Sequence, residues 1–526
     1  MIRQWFWFFG LLLGTALLAF WSLGSLPLID VDEPVYGQVG KEMAHASLAH
    51  WLSPHYGGEL WFDKPPLFYW LTALSMRFFG VTEFAARLPS ASVSILLVAA
   101  TYALGRRAYP SIPKDALCSG FVLATSLQFF ELSRAAVTDM TLALTLTLAL
   151  YGLYAWTQTG KVRWIALAGL MTGLGMLTKG PVALVLIGVQ TVAYLLLTRQ
   201  AKRLLSPVLW SGFALCLTVG LPWFLLMIHL HGQLFINGFL EANNVTRYLQ
   251  AEHKETSPFW FFLPVLLGGF FPWSLALPSA VILTWLQGRQ TLQEQASDNP
   301  ALFLGLWTAL VFVFFSASQS KLVTYIFPLF PAAAVLVGYW LAKRTETSAR
   351  FNPLWIYAAF NLALGIALWK LGPKYLVAEI TIWLWMLVLG ISAVLALVYR
   401  KRGRGWIAAG IGMGLFLLIA WCSPTWQWRE EDISERKTAI IASLTTPPDG
   451  VIHALGLKHP SLRYYTVWPV VYTDDHPGAA QDIQRHPGVV YALRPKVLDE
   501  LRTKYGVTHY EELQSGSQTV LIRATH

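Results

Sequence analysis

The stretch Ile29-Asp30-Val31-Asp32-Glu33-Pro34-Val35-Tyr36 follows directly on the first long apolar run of the chain. It places three carboxylates within residues 30–33. Pro34 suits the first turn of a helix, where acids sit against the positive end of the helix dipole. The plain reading is a capped loop at a membrane surface. The functional reading gains weight because the other polar clusters of interest fall on the same side of the membrane once the topology is drawn.

That a membrane is involved follows from composition. The 526 residues are 55% hydrophobic and 13% charged, with 24 Trp; a soluble globular domain carries about 25% charge. Cys118, Cys216 and Cys422 lie within or beside apolar runs, which excludes a disulfide framework and a CxxC metal site. The first run, 5–28, reads as a span and not a leader: it is too long for a signal h-region and has no small-residue cleavage site.

Hydropathy and length predict about thirteen spans, at 5–28, 86–104, 117–131, 138–157, 164–178, 181–198, 208–229, 260–286, 301–317, 322–341, 353–370, 380–399 and 406–422. With a cytoplasmic N-terminus, the cytoplasmic connections collect Gly105-Arg106-Arg107, Lys202-Arg203 and Arg400-Lys401-Arg402-Gly403-Arg404, against the acids Asp115, Glu294, Asp298 and Glu346. This is the positive-inside pattern. The net charge of +10 is thus a topology signal, and no nucleic-acid partner is expected. The predicted fold is mainly α: a polytopic membrane helix bundle at 1–423, with two outer interfacial helices, about 33–50 and 65–79, inside the loop 29–85. A small extracytoplasmic α/β domain follows at 424–526, with strands at 451–457, 470–473, 489–493 and 519–523 and helices at 432–444, 479–486 and 496–506.

Five clusters then lie on the outer face: Asp32-Glu33-Pro34, Asp63-Lys64-Pro65-Pro66, Glu131 to Asp139, Thr178-Lys179-Gly180-Pro181, and Ser320-Lys321 to Tyr325. The outer loop 230–259 adds Arg247 and His253. Singly, each has a bland account. Lys64, Lys179 and Lys321 could be helix-end lysines reaching to the interface. Asp139 could cap its helix, His253 could be a plain loop histidine, and Glu131 and Arg134 could pair at i, i+3. Together they suit transfer from a phosphate-linked donor. Cations at a membrane boundary hold a lipid phosphate, and a nearby carboxylate takes a proton from an attacking hydroxyl. Nothing here resembles a glycine-rich nucleotide-phosphate loop, and an outer site has no nucleotide-sugar supply, so the donor is expected to be lipid-linked. A transporter or lipid flippase is the alternative, but its ionisable groups would lie near the midplane within broken helices. A scaffold protein working through the C-terminal domain is a further one.

The same residues resemble the GT-C class of membrane glycosyltransferases, in the branch containing the lipid A aminoarabinose transferases and the protein O-mannosyltransferases. The resemblance covers about residues 1–340. It is carried by Asp32-Glu33-Pro34-x-Tyr36, Phe62-Asp63-Lys64-Pro65-Pro66-Leu67-x-Tyr69-Trp70, Ala86-Arg87-Leu88-Pro89-Ser90, Thr138-Asp139, Leu177-Thr178-Lys179-Gly180-Pro181 and Ser320-Lys321-Leu322-x-x-Tyr325. It implies an inverting transferase that uses a polyprenyl-phosphate sugar outside the inner (cytoplasmic) membrane and an acceptor such as lipid A, another glycoconjugate or protein. It also implies Asp32 as principal catalytic acid, Asp139 as second acid and Lys64 as phosphate contact. Glu33 joins them as a catalytic candidate; Arg247, Lys321, Tyr325, Tyr36 and Lys179 are candidates for the donor phosphate. No cofactor is required. A divalent metal held by Asp63 and His253 is the one candidate, and two ligands are too few to define a site. Val35 stands where that branch often has Arg, and Asp63 where it often has Glu, which bears on the sugar and acceptor more than on the reaction.

Overall fold

The computed structural model describes residues 2–246, 258–293, 298–344, 353–375, 379–400, 403–422, 427–445, 447, 449–516 and 518–525. Each of the thirteen expected apolar stretches contains helix, but the first helix, Ile2–Phe20, stops short of the expected end at 28. Among the described residues, seven helices are long and apolar enough to cross a membrane, or eight if the pair Ala116–Ala124 and Leu127–Ser133, bent by 68°, counts as one span. The others are shorter or less apolar. The expected single span at 260–286 is broken into Phe262–Gly269 and Leu277–Gln293 around Pro272, because a proline in a helix interior removes a hydrogen bond and clashes with the preceding turn. The span expected to start at 322 starts at Phe330. Pro328 and Pro331 fit the first turns of a helix but not its middle, so the chain at 321–326 runs as turns.

Helix packing is close where glycine lets backbones meet. Val162–Lys179 and Pro207–His231 approach so nearly that a Cβ on Gly169 would lie 2.1 Å from the Gly212 carbonyl oxygen. In lipid, where apolar surface gains little from helix pairing, such small-residue contacts are the main source of association. Asp139–Thr159 and Val162–Lys179 form a tight antiparallel hairpin. Residues 139 and 179 therefore share one end of the bundle. At the other end, about 30 Å away for a helix of this length, Arg107 and Arg203 donate to the carbonyls of Ala155 and Thr157. The basic connections and the acidic clusters thus occupy opposite ends.

The long connection after the first helix carries Asp32–Ala44 and Leu48–Leu52, then a hairpin of β1 (His55–Tyr56) and β2 (Glu59–Leu60), then Leu67–Phe79. The two longer helices were expected; here they pack on each other, with Gly40 against Thr72. The C-terminal sheet comprises β3 (Ile452–Leu455), β4 (Val470–Thr473), β5 (Val490–Leu493), β6 (Tyr510–Ser515) and β7 (Val520–Ala524), in the order β4-β3-β5-β7-β6. The first three are parallel, with Ile452 opposite Val470 and Val490; β7 and β6 run antiparallel. Two elements of this domain, and the β1–β2 hairpin of the loop, are absent from the sequence expectation. β6 is a polar edge strand without apolar alternation, and Pro460–Tyr465 is too short for a helical period.

This domain sits on the long connection that follows the first helix. The Tyr465 hydroxyl accepts from Leu28 N–H at 2.8 Å, and Lys41 Nζ donates to the Tyr464 carbonyl at 2.8 Å. Arg463 lies between the rings of Tyr56 and Tyr472, at 4.6 and 5.1 Å, and Arg436 pairs with Glu83 at 3.1 Å.

Candidate active site

Asp32 opens its helix, and Tyr36, one turn on, points the same way. Tyr36 is buried against Phe68 and Tyr69, with ring centroids 5.6 Å from each. This contact brings the start of the Asp32–Ala44 helix to the segment before Leu67–Phe79. There Lys64 pairs with Asp63 at 2.9 Å, both largely buried. Pro65 and Pro66 directly precede the helix Leu67–Phe79, and their fixed φ stiffens the approach of Asp63 and Lys64.

The hairpin of bundle helices supplies the opposite wall. Lys179 pairs with Asp139 at 2.6 Å, and its ammonium lies 4.7 Å from the centre of the Tyr325 ring. A buried ion pair holds only when its geometry is good and its charges are satisfied. Here the aromatic face adds a second stabilising contact. Asp32 feels all four charges of the two walls. Its side chain is accessible, yet surrounding protein desolvates it and pushes its carboxyl above the usual carboxylate range. Asp139 raises it further, Lys64 opposes, Asp63 adds, and Lys179 opposes. The arrangement is a cluster of three carboxylates and two ammonium groups at the end of the bundle opposite Arg107 and Arg203. It can hold a phosphate on its cations and leave Asp32 beside the reacting atoms.

Three comparisons bear on this geometry. The family described as dolichyl-phosphate-mannose-protein mannosyltransferase matches residues 63–225. The undecaprenyl phosphate-alpha-4-amino-4-deoxy-L-arabinose arabinosyl transferase of Pseudomonas aeruginosa (strain UCBPP-PA14) is 31% identical over 407 residues, covering 75% of this chain and 68% of the relative. The chain belongs to the aminoarabinose transferase family. A relative of the same description from Erwinia tasmaniensis is 29% identical over 79% of this chain and 72% of its own. The crystal structure of ArnT from Cupriavidus metallidurans bound to undecaprenyl phosphate shares the fold, with a TM-score of 0.78 at 22% identity, covering 98% of this chain and 97% of that one. The fold is therefore that of the GT-C membrane glycosyltransferases, with a small C-terminal sheet domain.

Within that family fold, not every candidate joins the cluster. Glu33, next to Asp32, is turned a third of a helical turn away. Arg87 Nε and Nη2 donate to its two oxygens at 2.9 and 2.6 Å; Ala136 N–H and Ile29 N–H fill the remaining acceptor sites at 2.7 and 2.8 Å. Its acceptor capacity is used up, which is at odds with the expected catalytic part. Lys321 is buried and donates to the Ser318 carbonyl. It stands on the same turn segment as Tyr325 but not at a helix start. Arg134 does not answer the expectation of an i, i+3 partner for Glu131: it donates to the carbonyls of Leu18, Ala19 and Trp21, closing the end of the first helix.

Arg247 and His253 lie outside the described residues. The segment leading to them, the π-helical Ile236–Thr246, lies beside Phe62, whose ring is 5.2 Å from that of Phe235. Among the described residues no group of three or more His, Cys, Asp or Glu is arranged to hold a metal. The sequence reading assigned no role to Arg87, although its motif was in view, nor to Ser461, Arg463 and Tyr465. A lone buried arginine in an apolar helix is a legible signal; contacts from a domain some four hundred residues away are not.

Proposed function

We propose that this chain is a polyprenyl-phosphate-sugar-dependent glycosyltransferase acting at the outer face of the inner membrane, on an acceptor of the lipid A type. The observation that carries this reading is the convergence of Asp32, Asp63, Lys64, Asp139 and Lys179 at the end of the bundle opposite the basic anchors. The donor phosphate binds Lys64 and Lys179. Tyr325 and Tyr36 line the approach, and Lys321 supports the phosphate from the neighbouring turn; Arg247 is a further candidate by its sequence alone. The acceptor oxygen attacks the anomeric carbon from the face opposite the phosphate. The new C–O bond forms as the bond to phosphate breaks, and the polyprenyl phosphate leaves with the electron pair.

Asp32 accepts the proton of the attacking hydroxyl; for an acceptor already ionised, such as a phosphate, it stabilises the charge that develops at the sugar. Asp139 keeps Lys179 charged and aimed at the cleft. Glu33 is a positioning residue, because it fixes the turn on which Asp32 stands. The supply of sugar as a lipid conjugate explains why the chain needs no nucleotide-binding motif on this side.

The test is single-turnover transfer from a labelled undecaprenyl-phosphate sugar. In Asp32→Asn, transfer should drop by about 10²–10⁴-fold, the usual cost of losing a general base, with donor affinity retained. In Lys64→Ala, donor binding should weaken by about 1.5–3 kcal/mol, typical of hydrogen bonds to charged groups. Transfer by Asp32→Asn at the wild-type rate would sink the assignment.

A further inference from the structure

Beside the charged cluster, and not part of it, lies a cavity of about 360 Å³ between the outer loop and the C-terminal domain. Its wall on the loop side includes Val31 and Val35, which flank Asp32 in the chain. Successive helical residues point about 100° apart, so Asp32 and Tyr36 face the charged cleft while Val31 and Val35 face this cavity. One helix edge separates the two spaces.

The lining has a definite chemistry. Tyr56 and Trp61 present rings 5.0 Å apart and inclined at 43°, and Tyr472 faces them from the domain. The rings are held in place. Arg463 is stacked between Tyr56 and Tyr472, and the Tyr472 hydroxyl donates to the His459 carbonyl at 2.8 Å. Lys458, Thr473 and Asp474 stand among these apolar faces. Flat aromatic surfaces match the C–H faces of a pyranose. A carboxylate, a hydroxyl and an ammonium together match its ring of hydroxyls, which both donate and accept. The volume lies within the range of small-molecule sites, mostly apolar with a few placed polar groups. An acyl chain would meet Lys458 and Asp474 and strip them of water without return.

We infer that this cavity seats a saccharide of the acceptor, delivering its reacting oxygen across the helix edge to Asp32. The inference rests on the function proposed above. It gives the C-terminal domain a direct part in choosing the acceptor, while the donor is held by the bundle.

The experiment uses the full chain in detergent, with a labelled undecaprenyl-phosphate sugar as donor and lipid A as acceptor. Tyr472→Ala should raise the KM for lipid A about tenfold, the loss of one well-packed ring face, and leave donor affinity unchanged. Tyr472→Phe should keep most of the wild-type KM, because the ring remains. Asp474→Asn is a surface change that will not unfold the domain, and it should raise the same KM. Unchanged KM in both Tyr472→Ala and Asp474→Asn would overturn the inference. So would a KM that responds to peptides laid along the edge strand β4 and not to lipid A. Equilibrium binding of lipid A to Asp32→Asn separates this inference from the reaction: binding lost on adding Tyr472→Ala, where the wild-type chain transfers nothing, would keep the cavity and reject the function. Normal transfer with indifferent cavity variants would do the reverse.

Discussion

Arg87 spends every N–H it has. Nε and Nη2 hold Glu33, Nη1 donates to the carbonyls of Leu23 and Leu26, and Nη2 also donates to that of Pro27. One fully buried side chain thereby ties the exit of the first helix to the turn beneath Asp32. A lysine has three donors without the planar fork and cannot reproduce this. Glu33→Gln or Arg87→Lys should cost about 3–5 kcal/mol, as when one partner of a buried pair is removed; thermal unfolding followed by size-exclusion chromatography would show it, and midpoints equal to wild type would refute it. The raised pKa of Asp32 makes a second prediction, with a definite sign. Only the ionised form accepts a proton, so transfer should be lost as pH falls through that pKa. Lys64 lowers the pKa and Asp139 raises it. The acid limb of the pH–rate profile should therefore move to higher pH in Lys64→Met and to lower pH in Asp139→Asn. Shifts in the opposite sense would remove these residues from the surroundings of Asp32. Asp32, Lys64, Asp139 and Lys179 were legible because charges at apolar boundaries are expensive. The difference between Asp32 and Glu33 was not, because neighbouring carboxylates on one turn are told apart only by what they touch.

At the scale of elements, the short helix Pro460–Tyr465 does more than its length suggests. Ser461 N–H donates to Asp30 at 3.0 Å, its hydroxyl donates to the other carboxylate oxygen, and His459 stands 3.5 Å from the same atom. A carboxylate two residues from Asp32 is thus held by the C-terminal domain. Ser461→Ala should lower the turnover number several-fold, with donor affinity and thermal midpoint near wild type, because one of two hydrogen bonds at a partly exposed site is lost, about 0.5–1.5 kcal/mol. Kinetics that separate donor binding from transfer would check this; a change confined to donor affinity would refute it. Long helices were legible as elements from hydropathy alone. Their interruptions at Pro272 and before Pro331 could be suspected from proline, but apolarity ran on across both and hid them. Edge strand β6, with the pattern Tyr-Glu-Glu-Leu-Gln-Ser, has no apolar period to read.

At the scale of the molecule, the separation of basic anchors from the acidic cluster predicts which face meets which compartment. A cysteine in place of exposed Lys496 should label with an impermeant thiol reagent on intact cells; one in place of exposed Lys161 should label only after permeabilisation. The opposite result would invert the orientation and deny the site its outer address. The sequence assigns sidedness from the count of Lys and Arg in short loops, and the labelling experiment is its test. The docking of domain on loop was not legible, since it joins residues 431 positions apart. That distance has a consequence for biosynthesis. A ribosome makes the turn carrying Asp32 more than four hundred residues before the segment that grips Asp30. A chain stopped before residue 461 would carry Asp32, Lys64, Asp139 and Lys179 in full and still lack the grip on the turn they surround.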